Sequence, residues 1–129
     1  MAQLLLALDF FSKKKIVHRD IKPDNILINQ IKDKGKHYEI KVADLGLAVQ
    51  TPRDKLLYMK CGSPGYIAPE IFHAEPAFEQ GYSYKADIFS AGSTFFNLLT
   101  GFYVFHGINQ EELILSNKMC RAGRIKPYL

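Results

Sequence analysis

Apolar residues recur at helical spacing near the start of the chain. The spacing predicts an amphipathic helix over residues 2–14, whose apolar face carries Leu4, Leu5, Leu8 and Phe11. The β-branched pair Ile16 and Val17 follows this helix and favours an extended backbone. The chain is therefore expected to leave its first helix in an extended conformation.

Two apolar stretches, residues 26–29 and 38–43, flank a lysine-rich turn. Short apolar runs separated by a turn of several residues are typical of a β-hairpin. Asn25 precedes the first predicted strand and Asp44 follows the second. Because hairpin strands lie side by side, these two residues are expected at adjacent strand ends, where both side chains can reach one metal ion.

The rest of the pattern is mainly helical. Residues 47–66 show neither a helical nor a strand period, and a loop containing Pro76 and Gly81 interrupts the pattern further on. Helices are predicted near residues 67–73, 84–100 and 110–118. The expected fold class is thus mainly α with a small β-hairpin, without repeats or a low-complexity linker.

Residues 88–105 form a stretch of 18 residues without a charge, which is the lower length limit for a membrane span. The stretch also contains polar side chains, and Gly101 is well placed to end a helix before an aromatic patch. A helix that is apolar on nearly every face is typical of a protein core. We therefore expect a buried core helix here and no membrane span.

Composition adds few constraints on function. The net charge is +4, but six of the lysines lie in two short clusters without interleaved aromatic residues, Lys13–Lys15 and Lys32, Lys34, Lys36. Solvated loops explain these clusters better than a nucleic-acid interface. The two cysteines, Cys61 and Cys120, make no disulfide framework or metal-binding pattern, which favours a reducing, cytoplasmic setting. No signal peptide is expected, because Asp9 interrupts the first apolar run.

The strongest chemical signal is the sequence His-Arg-Asp-Ile-Lys-Pro-Asp-Asn at residues 18–25, followed by Asp-Leu-Gly at residues 44–46. Together they resemble the catalytic loop and the metal-binding turn of eukaryotic-type protein kinases. The resemblance implies transfer of the γ-phosphoryl group of ATP to a protein hydroxyl. Lys22, with the later Gly-Ser-Pro at residues 62–64, resembles serine/threonine kinases more than tyrosine kinases.

The resemblance also implies a role for each site residue. Asp20 is expected to orient the substrate hydroxyl and accept its proton, and Lys22 to contact the γ-phosphate. Asn25 and Asp44 are expected to hold Mg²⁺, which prefers oxygen ligands. Leu27 matches the residue under the adenine ring in this family, although a leucine in a strand also fits an ordinary core position.

Four other residues are given structural or regulatory roles by the resemblance. His18 is expected to pack behind the catalytic loop, and Arg19 to pair with a phosphorylated activation segment. The hydroxyl of Ser63, within residues 61–70 that look like the end of this segment, is expected to bridge Asp20 and Lys22. Asp87, at the start of the predicted central helix, is expected to cap the backbone of the catalytic loop.

The chain is shorter than a whole kinase domain, and it contains no Gly-x-Gly-x-x-Gly sequence. We expect an incomplete large lobe, without the small ATP-clamping lobe and the final helices, over residues 1–129. Such a chain is expected to be inactive alone and to fold poorly, with an exposed apolar patch and with Glu70 buried without its arginine partner.

Two functions remain open from the sequence. One is a serine/threonine kinase with ATP, Mg²⁺ and Ser/Thr-containing protein substrates; the other is an inactive kinase-like module that docks partners through residues 102–129. The usual phosphorylated threonine of the activation segment is replaced by Met59, which leaves Thr51, Tyr58 and Ser63 as other acceptors. Residues 98–117 weakly resemble calcium/calmodulin-dependent kinases, but no EF-hand loop or calmodulin-binding helix supports that dependence.

Overall fold

The computed structural model describes residues 1–31, 37–52 and 54–121. Its helices are α1 (Ala2–Lys13), α2 (Pro69–Phe72), α3 (Lys85–Thr100) and α4 (Gln110–Lys118), and its strands are β1 (Ile16–Val17), β2 (Ile26–Ile31), β3 (His37–Val42) and β4 (Val49–Gln50). Short 3-10 turns cover Pro23–Asn25 and Pro76–Phe78. The predicted helices and hairpin strands are confirmed, with bounds that differ by a few residues.

The strands form two separate antiparallel pairs. In the hairpin, β2 pairs with β3 from Ile26↔Val42 to Ile31↔His37. The lysine-rich turn predicted between them lies outside the described residues. The second pair joins β1 to β4, with Val17 opposite Val49. Sequence analysis missed β4, because a two-residue strand has no measurable period.

Two buried clusters hold the elements together. In the first, α1 packs on the hairpin and on α3 through Leu4, Leu8, Ile21 and Ala91, with Phe11, Ile26, Ile40, Val42 and Phe95 partly buried around them. In the second, α2 packs on the start of α3 through Ile67, Ala68, Ile71, Ala74, Tyr82 and Ala86. The catalytic-loop residues 18–25 connect β1 to β2 and therefore leave directly from the first cluster.

Helix α3 is less buried than its sequence suggested. Its buried face consists of small or polar residues, Ala86, Asp87, Ser90, Ala91, Ser93 and Thr94. Three of its large apolar side chains, Ile88, Leu98 and Leu99, are exposed. The neighbouring elements thus cover one face of α3, with Phe89 and Phe95 partly buried beside it. The exposed side chains agree with the apolar patch expected for an incomplete lobe.

The expected end of α3 is confirmed, since Gly101 has φ 74° and its N–H bonds to the carbonyl of Asn97 at 2.8 Å. This left-handed backbone conformation is strained for residues other than glycine, because they carry a Cβ atom. Among the residues that the structure describes, each helix is too short or too polar to cross a lipid bilayer.

Helix α4 begins at a reciprocal cap. The side chain of Asn109 accepts a hydrogen bond from the N–H of Glu112 at 2.9 Å, and the Glu112 carboxylate accepts one from the N–H of Ile108 at 2.9 Å. The N–H of Glu112 is one of the backbone groups that a helix leaves without a partner at its start, and the N–H of Ile108 lies directly before the cap. Gly107 lies so close that an added Cβ would be 2.2 Å from the N of Leu113. The sequence Gly-Ile-Asn-Gln-Glu-Glu thus determines where α4 begins.

Glu70 requires a correction. It lies in the first turn of α2 and is exposed to solvent. The expected cost of a buried, unpaired carboxylate therefore does not apply to this residue in this chain. Burial costs free energy only when a charge leaves water.

Candidate active site

The catalytic loop is attached to α3 by one carboxylate. Asp87 accepts hydrogen bonds from the backbone N–H of His18 and of Arg19, each at 2.8 Å. Its side chain is almost fully buried, with a relative exposure of 4%. Burial raises the pKa of the Asp87 carboxyl above its ordinary value, while the two N–H donors act in the opposite direction. The expected cap on the loop backbone is confirmed.

These bonds hold the loop in an uncommon backbone conformation. Arg19 has φ 70°, in the left-handed backbone region that residues other than glycine rarely adopt. Both N–H groups at this bend have charged acceptors, so the bend leaves no buried donor unpaired. A strained conformation directly before Asp20 persists only because α3 holds it there.

His18 lies behind the loop, as expected. The residue is fully buried, and its Nε2 lies 3.1 Å from the carbonyl oxygen of Ala43. The N–H of Asp20 donates to its Nδ1 at 3.3 Å, which assigns the ring hydrogen to Nε2. His18 therefore links the catalytic loop to the end of β3 and does not face the surface.

Asp20 lies at the centre of a small polar cluster. One carboxylate oxygen, Oδ2, is 3.2 Å from Lys22 Nζ and accepts a hydrogen bond from Asn25 Nδ2 at 3.2 Å. Asn25 Nδ2 also donates to the backbone carbonyl of Asp20 at 2.8 Å. The other oxygen, Oδ1, is buried and has no hydrogen-bond partner among the described residues. A buried acceptor without a partner is rare in folded proteins. Among the described residues, the hydroxyls of Thr51 and Thr94 share this state.

The Ser63 hydroxyl was expected to bridge Asp20 and Lys22, but the structure makes Lys22 the bridging residue. Lys22 Nζ donates to Ser63 Oγ at 2.7 Å and contacts Asp20 Oδ2. Lys22 is therefore the bridging group between Asp20 and Ser63, since an ammonium can donate to two acceptors at once. The contact joins the catalytic loop to a segment 41 residues further along the chain.

The hairpin aligns Asn25 with the turn that contains Asp44. The N–H of Ala43 donates to the carbonyl of Asn25 at 2.8 Å, directly beyond the last strand pair. Asp44 has φ 58° and is exposed, and its Oδ1 accepts a hydrogen bond from the N–H of Gly46 at 3.1 Å. The prediction that both residues lie at adjacent strand ends is confirmed.

This donor set suits a hard cation. Asn25 donates its two hydrogen bonds through its side-chain nitrogen, so neither bond involves its side-chain oxygen. Asp44 offers an exposed carboxylate. Mg²⁺ is commonly bound by one or two such oxygen ligands together with substrate phosphates. No group of three His, Cys, Asp or Glu residues able to hold a metal occurs in the described ranges.

Leu27 lies on the outer face of the hairpin. It pairs with Lys41 and is 56% exposed, whereas its neighbour Ile26 packs into the first core cluster. Alternate strand residues point to opposite faces, so Leu27 faces away from that cluster. An exposed apolar side chain at this position leaves a surface on which a flat ring can lie.

The segment that ends in α2 is held by two buried polar side chains. Asn117 on α4 is fully buried, accepts from the N–H of Gly65 at 2.9 Å and donates to the carbonyl of Ile67 at 2.8 Å. Ser90 on α3 donates to the carbonyl of Tyr66 at 2.7 Å. Burial, with a smaller contribution from nearby Tyr103, raises the pKa of Tyr66 to about 12, so its hydroxyl stays protonated at neutral pH.

Replacing Asn117 with Ala is expected to lower the free energy of unfolding by about 2–6 kcal/mol. The change leaves one N–H and one C=O buried without partners, at about 1–3 kcal/mol each. The measurement is urea unfolding of the full-length protein. Asn97→Ala, which removes one exposed hydrogen bond from α3, is the matched control and should cost about 1 kcal/mol. Equal losses for the two variants would contradict the assignment of Asn117.

Sequence reasoning brought together Asp20, Lys22, Asn25 and Asp44 but missed the anchors around them. Neither Ser90, which lies in the uncharged stretch of residues 88–105, nor Asn117, which ends the weak subfamily pattern, was assigned a contact, and Tyr82 was not singled out. A polar residue at a core-facing helical position was the available signal for the first two. A buried polar side chain needs a partner, which such a pattern does not identify.

Comparison with known proteins places the chain in a family. The sequence profile of the family described as "Protein kinase domain" matches residues 1–126. "Probable serine/threonine-protein kinase 2" from Plasmodium falciparum is 37% identical over 95% of the chain and 22% of its own length. "Serine/threonine-protein kinase DCLK1" from Rattus norvegicus is 40% identical over 90% of the chain and 25% of its own length.

A third relative, "CBL-interacting serine/threonine-protein kinase 10" from Arabidopsis thaliana, is 38% identical over 86% of the chain and 22% of its own length. The chain therefore belongs to the protein kinase domain family, which confirms the resemblance found in its motifs. Its similar proteins are named as serine/threonine kinases. It spans about a quarter of the length of these relatives.

Proposed function

We propose that this chain is the catalytic part of the large lobe of a serine/threonine protein kinase, which transfers the γ-phosphoryl group of Mg-ATP to a Ser or Thr hydroxyl of a protein. The Asp20 carboxylate is the observation that carries the proposal. Lys22 and Asn25 bind one of its oxygens, and the other has no partner among the described residues. That oxygen can accept a hydrogen bond from the attacking hydroxyl.

The two donors give Asp20 a defined orientation. With Oδ2 held by Lys22 and Asn25, the carboxylate cannot rotate without breaking both contacts. A substrate hydroxyl bound to Oδ1 is therefore oriented for attack, and its proton passes to Asp20 as the new phosphate ester forms. Positioning accounts for most of the catalysis in phosphoryl transfer, since the protein forms no covalent bond.

Lys22 contributes a positive charge beside the same carboxylate. Its side chain is 23% exposed, so the ammonium can reach a phosphate oxygen while it remains near Asp20. Negative charge develops on the phosphoryl oxygens during transfer, and a fixed ammonium stabilises it. Ser63 also binds the Lys22 ammonium and so restricts where this charge lies.

Asn25 and Asp44 would hold the magnesium ion, and Leu27 would lie under the adenine ring. When bound, magnesium neutralises charge on the phosphate oxygens. Asn25 also contacts Asp20, so a change in its amide position would move the base as well. Dependence on calcium or calmodulin stays a prediction, to which the CBL-interacting names among the relatives give weak support.

An inactive docking module is the second candidate function. Its support is the exposure of Phe102, Tyr103, Ile108, Leu115 and Met119, within the region that we predicted to bind partners. A docking module does not require the Asp20 carboxylate to be oriented with one oxygen left without a partner. An activity measurement on substituted full-length protein separates the two.

Replacing Asp44 with Ala in the full-length protein is expected to raise the Mg²⁺ concentration for half-maximal activity at least about tenfold. The variant loses a carboxylate that binds the ion, and outer contacts alone are worth about 10–100-fold in affinity. The assay is transfer of labelled γ-phosphate to a Ser-containing peptide across a magnesium titration. Asp54→Ala removes another exposed carboxylate and is the matched control. An unchanged magnesium dependence in Asp44→Ala would refute the metal assignment.

A further inference from the structure

We propose that Tyr82 is a positioning residue that ties residues 57–61 to the catalytic loop through Arg19, so that this segment is held without a phosphate group. The proposal rests on the proposed kinase function. It adds a residue that no motif indicated and a mode of regulation for the same site.

The side chain of Tyr82 lies between the two parts that it joins. It is 2% exposed, and its hydroxyl donates to the carbonyl oxygen of Met59 at 2.5 Å. Arg19 Nη1 donates to the same hydroxyl oxygen at 3.5 Å, and Cys61 Sγ lies 3.8 Å from it. The phenol thus accepts from the catalytic loop while it donates to the segment, which uses both of its hydrogen-bonding capacities.

The main chain of Tyr82 binds the same segment. Its N–H donates to the carbonyl of Leu57 at 2.9 Å, and its carbonyl accepts from the N–H of Leu57 at 2.8 Å. A Cβ added to Gly81 would lie 2.6 Å from Leu56 Cβ and 2.9 Å from Leu57 O. The segment therefore lies directly against residues 81–82, at a distance that glycine alone permits.

Arg19 carries this connection to the reacting group. Its Nε donates to the carbonyl of Leu47 at 2.6 Å, and its backbone N–H is bound by Asp87. Within the described part of the chain, no carboxylate forms an ion pair with its guanidinium. Arg19 immediately precedes Asp20, so a shift of its guanidinium would change the strained backbone before the base.

The hydroxyl groups of residues 51–66 that the structure describes are poorly placed to accept phosphate. Thr51 and Tyr66 are buried, and Ser63 is bound to Lys22. Tyr58 is half-buried, and its ring atom Cε1 lies 3.0 Å from the position of a Cβ added to Gly81. Met59, the residue that contacts Tyr82, offers only its backbone carbonyl to that contact. The hydrogen bond from the Tyr82 hydroxyl therefore depends on the Met59 carbonyl, a neutral backbone group that needs no modification.

The protonation state of the phenol favours the tie. Burial raises the pKa of Tyr82 above its ordinary value, although Arg19 acts in the opposite direction. The hydroxyl therefore keeps its hydrogen at neutral pH and remains a donor to Met59.

The test uses the full-length protein with Tyr82→Phe, which removes the hydroxyl and keeps the ring. We expect kcat to fall about ten- to hundredfold with the KM for ATP unchanged, because a misplaced base slows transfer without affecting nucleotide binding. Trypsin cleavage after Lys55 and Lys60 should become faster, while the thermal midpoint stays within a few degrees. Tyr38→Phe, on the exposed strand β3, is the matched control and should change none of these.

A double-substitution cycle distinguishes the tie from a general packing effect. Arg19→Met and Tyr82→Phe together should lower kcat no more than Arg19→Met alone, because both break one connection. Wild-type protein treated with a phosphatase should keep its activity. Additive losses in the cycle, Tyr82→Phe indistinguishable from Tyr38→Phe, or loss of wild-type activity after phosphatase treatment would each overturn the proposal.

The trypsin readout separates this proposal from the kinase proposal. If the wild-type protein transferred no phosphate, the proposed function would fail. The rate of cleavage after Lys55 and Lys60 would still report whether the Tyr82 hydroxyl holds the segment.

Discussion

Replacing Asp20 with Asn in the full-length protein is expected to lower kcat by about 10²–10⁴-fold, the usual contribution of a positioned general base. The amide is nearly isosteric with the carboxylate, and its oxygen can still face Lys22 and Asn25. Its NH₂ group would then lie where Oδ1 lies now, and an NH₂ group cannot accept the substrate proton. The assay is transfer of labelled γ-phosphate from Mg-ATP to a Ser-containing peptide.

Two comparisons make this result specific. Asp9→Asn, an exposed carboxylate that pairs only with Lys13 among the described residues, is the control and should retain wild-type kcat. The KM for ATP should be similar in both variants, because Asp20 contacts no part of the nucleotide in the proposed mechanism. Wild-type turnover in Asp20→Asn would eliminate the proposed mechanism and favour the docking module.

Replacing Asp87 with Ala is expected to lower the free energy of unfolding by about 3–6 kcal/mol. The side chain accepts two charge-assisted hydrogen bonds from backbone N–H groups, each worth about 1.5–3 kcal/mol. The loss is a large share of the 5–15 kcal/mol that stabilises a typical domain. Because the raised pKa of Asp87 shows that its burial is costly, we expect a value nearer the lower end.

The same residue predicts a pH dependence of stability. Its folded pKa lies above the ordinary value of 3.8, so the folded state keeps a proton that the unfolded state has already lost. Stability from this group is fully present below 3.8 and is lost as the pH rises through the folded pKa. Asp87→Asn, which cannot titrate, should remove this component from the unfolding free energy measured between acid and neutral pH.

Two results would contradict the role of Asp87. One is an Asp87→Ala protein as stable as wild type, which would mean that the bonds to His18 and Arg19 contribute nothing net. The other is a pH profile of Asp87→Asn that parallels the wild-type profile. Asp24→Asn, an exposed carboxylate in the same loop, provides the control for a general loss of surface charge.

The local sequence pattern was sufficient to predict the helices, the hairpin and the class of reaction that residues 18–25 suggest. Helix α1, the hairpin and α4 follow from spacings and caps that lie within a few residues of each other. The types and order of residues 18–25 and 44–46 were enough to suggest phosphoryl transfer, because the reaction needs a base, an ammonium and oxygen ligands. The family match supports that class and leaves the role of each residue to experiment.

Pattern was insufficient where a contact joins distant parts of the chain. The contacts of His18 with Asp87, 69 residues away, and of Lys22 with Ser63, 41 residues away, were expected only from the family resemblance. The contact of Gly65 with Asn117, 52 residues away, was not expected at all. Periodicity describes which face of an element is apolar, but it does not say which element covers that face. Helix α3 illustrates this, since Leu98 and Leu99 are exposed in spite of their apolar surroundings in the sequence.

The sequence by itself predicted the class of chemistry, and it determined the hairpin that aligns Asn25 with the turn of Asp44 and the approximate limits of the main helices. Only the tertiary structure decided that Lys22 bridges Asp20 and Ser63, that β1 pairs with β4, and that Tyr82 lies between Arg19 and Met59. The physical reason is the sequence separation over which each kind of interaction acts. Propensity, capping and turn formation act over a few residues, whereas these contacts form only after the core has brought distant backbone together and excluded water from it.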